Sequence, residues 1–298
     1  MQLQRLVKGL LLRSMRPRQW SKNLVVFAAL VFDSKLFHPY PLIQSVYGFV
    51  VLCLLSSAVY LINDSADAAA DRLHPTKRNR PIARGDVPIP VALAYAGTLV
   101  VICLLFAGWI NWRFALLGAA YFALTTAYTF KLKHMVILDV LILASGFVLR
   151  VASGTVLVSA ERFSPWLYVC MSLLALLLGF GKRRQELVEL GGKTSTRAIL
   201  SEYSVPLLDQ IISIVTGSLI VAYTFYTFSA PQLPSNHSMM LSVPFVLYGL
   251  FRYLYLVIVK GEGGAPDELA LKDRPLQIVF VLWGLVCATV LYVVPLIR

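Results

Sequence analysis

The sequence predicts an all-α polytopic membrane protein, and three observations carry that prediction. Of 298 residues, 58% are hydrophobic and only 14% charged, with a mean hydropathy of +0.73, far from a soluble globular composition. Two stretches, 42–62 and 276–297, contain no charged residue and are long enough to cross a bilayer. The basic residues behind the net charge of +12 fall in alternate short loops, as cytoplasmic flanks do, which argues against nucleic acid as the partner.

In chain order, residues 1–22 carry Arg5, Lys8, Arg13, Arg16, Arg18 and Lys22 with Leu3, Leu6, Val7, Leu10 and Leu11 between them. That spacing suits an amphipathic helix lying on an anionic membrane surface. No small-residue cleavage site follows the apolar run Leu24 to Phe32, so a signal peptide is disfavoured. Residues 23–298 then read as one bundle, with 1–298 a single integral membrane domain. The spans are roughly 23–38, 42–62, 87–110, 114–130, 134–158, 163–181, 203–230, 239–259 and 276–297; the first is the weakest, because Asp33 and Lys35 interrupt it. Nine crossings put the termini on opposite sides. With the N-terminus inside and the C-terminus outside, 21 of the 27 Lys and Arg lie on the cytoplasmic side. Lys35, Arg113, Arg162 and Arg298 lie on the other, and Arg150 and Arg252 lie within spans. The positive-inside rule favours this orientation and keeps the weak first span. The long, polar connections 63–86, 182–202 and 260–275 all fall on the cytoplasmic side, which makes that the working face.

Chemistry concentrates in Asn63 to Gly85, NDSADAAADRLHPTKRNRPIARG. If the preceding helix continues, Asp64, Asp67 and Asp71 share one face and span about 10 Å. Three carboxylates so placed need a cation, and oxygen ligands suit Mg²⁺ held against a substrate phosphate. Lys77, Arg78, Arg80 and Arg84 follow at once and are placed to grip that phosphate. Asp139, Asp209 and Arg252 are charges inside or near span ends at the cytoplasmic depth, and such charges default to functional hypotheses. Asp139 follows Tyr128, Lys131, Lys133 and His134, and Lys182, Arg183 and Glu186 open the loop after the sixth span. Together these make a membrane-embedded diphosphate site, and the apolar bundle suits a lipid co-substrate. Cys53, Cys103, Cys170 and Cys287 are isolated in apolar runs, and no GxSxG, Walker-type loop, GxGxxG or CxxC occurs.

These motifs resemble the UbiA-type intramembrane prenyltransferase superfamily. NDxxDxxxD at the end of the second span is similar to its first aspartate motif, and the resemblance covers the whole chain. The runs Arg16 to Asn23 (RPRQWSKN), His74 to Gly85, Tyr128 through Lys133 to Asp139, and Gly179 to Leu187 are similar to one branch, the decaprenyl-phosphate phosphoribosyltransferases. The resemblance implies a nine-helix bundle with a Mg²⁺–diphosphate site under a cytoplasmic cap, in a bacterial cell membrane. It also implies transfer of 5-phosphoribose from phosphoribosyl pyrophosphate (PRPP) to a polyprenyl phosphate, toward arabinofuranose donors for the cell wall. The second aspartate motif usual in the superfamily, DxxxD after the sixth span, is missing; KRRQELVEL stands there instead. That departure disfavours the alternative, a prenyltransferase joining a prenyl diphosphate to an aromatic or quinone-precursor acceptor.

On this reading Asp64, Asp67 and Asp71 hold Mg²⁺ with Asn63 as auxiliary ligand. Lys77, Arg80, Lys131 and Lys133 neutralise the departing pyrophosphate. Asp139 stabilises oxocarbenium character at the ribose or holds a ribose hydroxyl, beside Tyr128. Arg16, Arg18, Gln19 and Lys22 guide the lipid phosphate or the 5-phosphate, while Lys182, Arg183 and Glu186 close the opposite wall. Which basic residue meets which phosphate stays open, as does homo-oligomerisation.

Overall fold

Proline sets where most of the long helices begin, because its fixed φ suits the first helical turn and its missing N–H costs nothing there. The computed structural model describes residues 9–160, 164–190, 198–264, 269 and 272–296, and its described residues contain no strand. The long helices are α1 Pro39–Ala66, α2 Ile89–Ile110, α3 Trp112–Phe130, α4 Leu138–Val158, α5 Pro165–Leu190, α6 Val205–Ser229, α7 Val243–Ile258 and α8 Arg274–Ala288. Six of them, α1, α2, α5, α6, α7 and α8, carry Pro at the first or second position. Side chains cap three: Asn111 accepts from the Arg113 and Phe114 amides, Ser204 from Leu207, and Asp273 from Leu276. Asp273 also pairs in two-pronged fashion with Arg252, at 3.2 and 2.8 Å, which tethers the start of α8 to α7.

Among the described residues seven helices are long and apolar enough to cross a membrane: Pro39–Ala66, Ile89–Ile110, Leu138–Val158, Pro165–Glu189, Val205–Ser229, Ser238–Ile258 and Arg274–Val293. The expected spans 23–38 and 114–130 are not among them. The second lies in α3, where Arg113, Thr125, Thr126, Tyr128 and Thr129 dilute the apolar character. The first is built differently: a 3₁₀ helix, Pro17–Phe27, leads into the short α-helix Ala28–Phe32. An eleven-residue 3₁₀ run is long for a conformation with poor internal hydrogen bonds. Contacts to α1 hold it. Trp20 Nε1 donates to Ser57 Oγ at 3.0 Å, and Asn23 Nδ2 reaches Cys53 Sγ and Ser56 Oγ, both at 3.3 Å. The expected amphipathic helix is described from residue 9, helical over 9–14 with Leu11 buried; Arg5, Lys8, Arg162 and Arg298 lie outside the described residues, as does 191–197 of the loop after α5.

The chain packs as two compact units, Met1–Val31 with Lys35–Met135 and Leu149–Ala160, and Phe32–Ser34 with Val136–Val148 and Glu161–Arg298. In the first unit α1 packs on α2, α3 and the 3₁₀ helix around two cores, one of Leu52, Leu55 and Phe114, the other of Leu61, Ile82 and Val87. Arg150 is buried within this unit, donating to Asn23 Oδ1 and to the Tyr121 hydroxyl, both at 2.8 Å, which fits a bundle-organising role for that charge. In the second unit α5 packs along α6 and α7 along α8, around Leu177, Leu208, Ile212, Tyr226 and Met239.

Of the glycines in the first unit, Gly154 of α4 is the most tightly placed: a Cβ there would stand 2.0 Å from the Val26 carbonyl oxygen. Gly154→Ala is therefore expected to cost about 3 kcal/mol, as overpacking does when backbone is the obstacle. Gly284→Ala, with nothing within 4 Å of the added carbon, is the control. Equal thermal midpoints for the two variants in detergent would refute the close-packing account.

Candidate active site

The acidic motif is divided by a break in the helix. α1 carries Asn63 and Asp64 but ends at Ala66; Asp67, at φ −90° and ψ 1°, joins it to a second short helix, Ala68–Leu73, which carries Asp71. Asp64 and Asp71 are buried and Asp67 is partly exposed. A buried carboxylate must be paired, and each one here is. Arg80 Nη1 lies between the two buried acids, 3.1 Å from Asp64 Oδ1 and 2.6 Å from Asp71 Oδ2. Arg16 Nη2 reaches the same Asp64 oxygen at 2.5 Å, with its guanidinium 4.8 Å from the Tyr60 ring centre. Asp67 turns elsewhere and pairs with Lys133 Nζ at 2.7 Å.

Local chemistry explains how the basic side chains arrive. Arg16 sits at φ 53° just before Pro17, a left-handed position that turns the chain into the 3₁₀ helix. Beyond Asp71, Arg72 Nε donates to the Ala83 carbonyl at 2.9 Å and ties the loop back on itself. Gly85, at φ 86°, supplies the left-handed cap that ends Pro81–Arg84. The His74 ring nitrogen Nδ1 accepts from the Thr76 and Lys77 amides at 3.3 and 3.4 Å. Partial burial, then Lys77, holds the His74 pKa below its ordinary value, which suits a neutral ring that shapes the loop. A cleft of about 360 Å³ opens here, lined by Arg13, Ser14, Arg16, Asp64, Thr76, Lys77, Asn79, Arg80 and Pro81.

The remaining expected residues divide. Gln19 and Lys22 are partly buried on the 3₁₀ helix, and Arg18 is exposed there. Tyr128 is partly buried in the last turn of α3, and Lys131 is exposed at its end. Within the second unit Asp139 is fully buried, with Arg183 Nε at 2.6 Å and the Tyr203 hydroxyl at 2.7 Å. Arg183 Nη1 also donates to Glu186 at 2.6 Å, whereas Lys182 is exposed. The charges at Asp209 and Arg252 are in structural pairs, Asp209 with Arg184 at 2.5 Å and Arg252 with Asp273. Sequence reasoning missed Arg13, Thr76 and Asn79 in the cleft, and Tyr203 on Asp139. The first three lay within stretches already singled out; Tyr203 carried no signal, being 64 residues from its partner.

The donor set bears on metal binding. Among the described residues no three His, Cys, Asp or Glu lie together as a self-sufficient metal site. Asp64 and Asp71 nevertheless converge on one cationic group, Arg80. A pair of carboxylates completed by substrate phosphate oxygens is the usual way Mg²⁺ is held beside a polyphosphate, so the residues fit that ion.

A helical membrane bundle that sets a buried acidic pair beside a basic cleft has the groups that bind phosphorylated substrates. The chain belongs to the UbiA prenyltransferase family, whose model matches residues 24–267. It is 37% identical to decaprenyl-phosphate phosphoribosyltransferase of Mycolicibacterium smegmatis, over 93% of this chain and 91% of that one. It is 32% identical to the enzyme of the same name from Corynebacterium glutamicum, over 96% of this chain and 88% of that one. Among solved structures, a UbiA homolog from Archaeoglobus fulgidus bound to GPP and Mg²⁺ superposes with a TM-score of 0.73, covering 95% of this chain and 99% of that one at 17% identity.

Proposed function

We propose that this protein transfers 5-phosphoribose from PRPP to a decaprenyl-type polyprenyl phosphate and releases pyrophosphate. The observation that carries this is the near full-length match to two bacterial enzymes of that name. The cleft's chemistry agrees with it: Arg13, Arg16, Lys77 and Arg80 line one opening beside Asp64, a basic lining suited to phosphate groups.

Asp64 and Asp71 would hold Mg²⁺ with Asn63 and Asp67 adjoining. Bound there, Mg²⁺ supplies charge neutralisation for the departing pyrophosphate. Arg16 and Arg80 exchange their carboxylate partners for phosphate oxygens, keeping charge-assisted hydrogen bonds throughout, and Lys77 adds a further cation to the cleft wall. Lys131 and Lys133 extend the basic surface beside Asp67. Glu186 is assigned by its chemistry alone: a carboxylate touches a polyanionic sugar phosphate best at its hydroxyls. The attacking lipid phosphate is already anionic, so no side chain has to remove a proton. The reading includes nine crossings, the N-terminus inside, and an active site facing the cytoplasm of a bacterial cell membrane. At roughly 2.0 Å per 3₁₀ residue and 1.5 Å per α residue, Pro17–Phe32 is about 30 Å long, a bilayer core's thickness.

The test is purified protein with PRPP, decaprenyl phosphate and Mg²⁺, following pyrophosphate and the lipid product. Pyrophosphate release that needs both substrates is the expected result. Consumption of a prenyl diphosphate with an aromatic acceptor, and none of PRPP, would replace this assignment with a prenyltransferase.

A further inference from the structure

Arg16 lines the cleft from an unfavoured backbone shape. It stands at φ 53° and ψ 61° immediately before Pro17, where a non-glycine residue prefers extended backbone. Such a conformation persists only where surrounding contacts impose it. Contacts from both sides of Arg16 meet at one hydroxyl, that of Ser57, which is fully buried on α1. Its Oγ accepts from the Trp20 indole N–H at 3.0 Å. The same Oγ lies 3.1 Å from the Met15 carbonyl oxygen and 2.7 Å from that of Cys53 on its own helix, so its single proton serves two acceptors. The face of α1 that carries Ser57 carries the rest of the arrangement. Three residues on, the Tyr60 ring centre is 4.8 Å from the Arg16 guanidinium. Seven residues on, about 10 Å along the helix, Asp64 takes Arg16 Nη2 at 2.5 Å. All of these groups, and the cleft itself, belong to the first unit.

We infer that Ser57 is a positioning residue for substrate binding: by fixing Met15 and Trp20 on either side of Arg16, it aims the guanidinium into the cleft where phosphate takes over from Asp64. The physical case rests on the length of the arginine side chain. Once Asp64 releases it, its direction depends on the backbone it springs from, and that backbone is strained and opens a 3₁₀ helix with poor internal bonding. One buried hydroxyl on a long α-helix supplies the fixed point, in register with Tyr60 and Asp64. Ser57 itself meets no substrate, being sealed from solvent and set back from the residues that line the cleft. The inference rests on Arg16 binding a PRPP phosphate, as proposed above.

The experiment compares wild type with Ser57→Ala, Arg16→Met and the double variant, reading kcat and the KM for PRPP, with PRPP-induced thermal stabilisation as a separate measure of binding. Ser57→Ala is expected to raise KM about tenfold with kcat within about threefold of wild type, the pattern of binding lost equally from ground and transition states. The effect should vanish in the Arg16→Met background, because Ser57 acts through Arg16. Ser45→Ala is the matched control: it removes another buried hydroxyl of α1, one bonded to the Pro41 carbonyl at 2.9 Å, and should leave KM unchanged. Should Ser57→Ala fold poorly, Trp20→Phe carries the test, since it removes only the indole N–H and should raise KM about threefold by the same route. An unchanged KM, or losses that simply add in the double variant, would overturn the positioning role while leaving the function intact. A wild type that neither turns over nor is stabilised by PRPP overturns the functional assignment, and this inference with it.

Discussion

Asp64→Asn is expected to lower kcat by roughly a thousandfold while leaving the protein folded, the scale seen when a preorganised electrostatic group is removed from a reaction site. Asp64 is the one acid of the motif that meets both Arg16 and Arg80, at 2.5 and 3.1 Å. Its loss removes half of the converging carboxylate pair and takes the carboxylate from Arg16, while Arg80 keeps only Asp71. Asparagine keeps the size and one oxygen acceptor, so the effect isolates the charge. Asp86, whose partner Arg84 is exposed, offers the control: Asp86→Asn should change activity less than twofold, because an exposed pair contributes little. If Asp64→Asn retained more than a tenth of wild-type turnover at saturating Mg²⁺ and PRPP, the acidic pair would not be the reaction centre.

The second large effect is on stability. Arg183→Met should destabilise the protein by about 3–5 kcal/mol, since it strips the principal cation from a carboxylate with no solvent exposure. The cost is that of an uncompensated buried charge, not of the lost contact. Asp139→Asn added to Arg183→Met should accordingly recover much of the loss, although activity should stay low. Chemical denaturation in a mild detergent, with and without the second substitution, decides it. A double variant no more stable than Arg183→Met alone would show that the loss of Arg183 does not act through the Asp139 carboxylate.

Much of this was readable from the chain because it is local. Apolar runs bounded by Pro and charge announce helices in a membrane, and NDSADAAAD running into HPTKRNRPIARG announces acids followed by bases. Asp139 was also visible, as a charge placed where charge is expensive. The arrangement of those groups was not. Helical periodicity puts Asp64, Asp67 and Asp71 on one face only while the helix continues, and it ends at Ala66, so Asp67 departs to Lys133. No window of sequence joins Asp64 to Arg16, 48 residues away, or Asp139 to Tyr203. The sequence by itself determined the membrane class, the acidic motif and its basic tail, because these depend on composition and on spacing within a few turns. Only the tertiary structure decided which acid meets which base, which carboxylate is sealed and which is presented, and that a 3₁₀ helix held by α1 opens the bundle. Those outcomes follow from packing between segments far apart in the chain, where the need to pair every buried charge selects one partner among several of the right type.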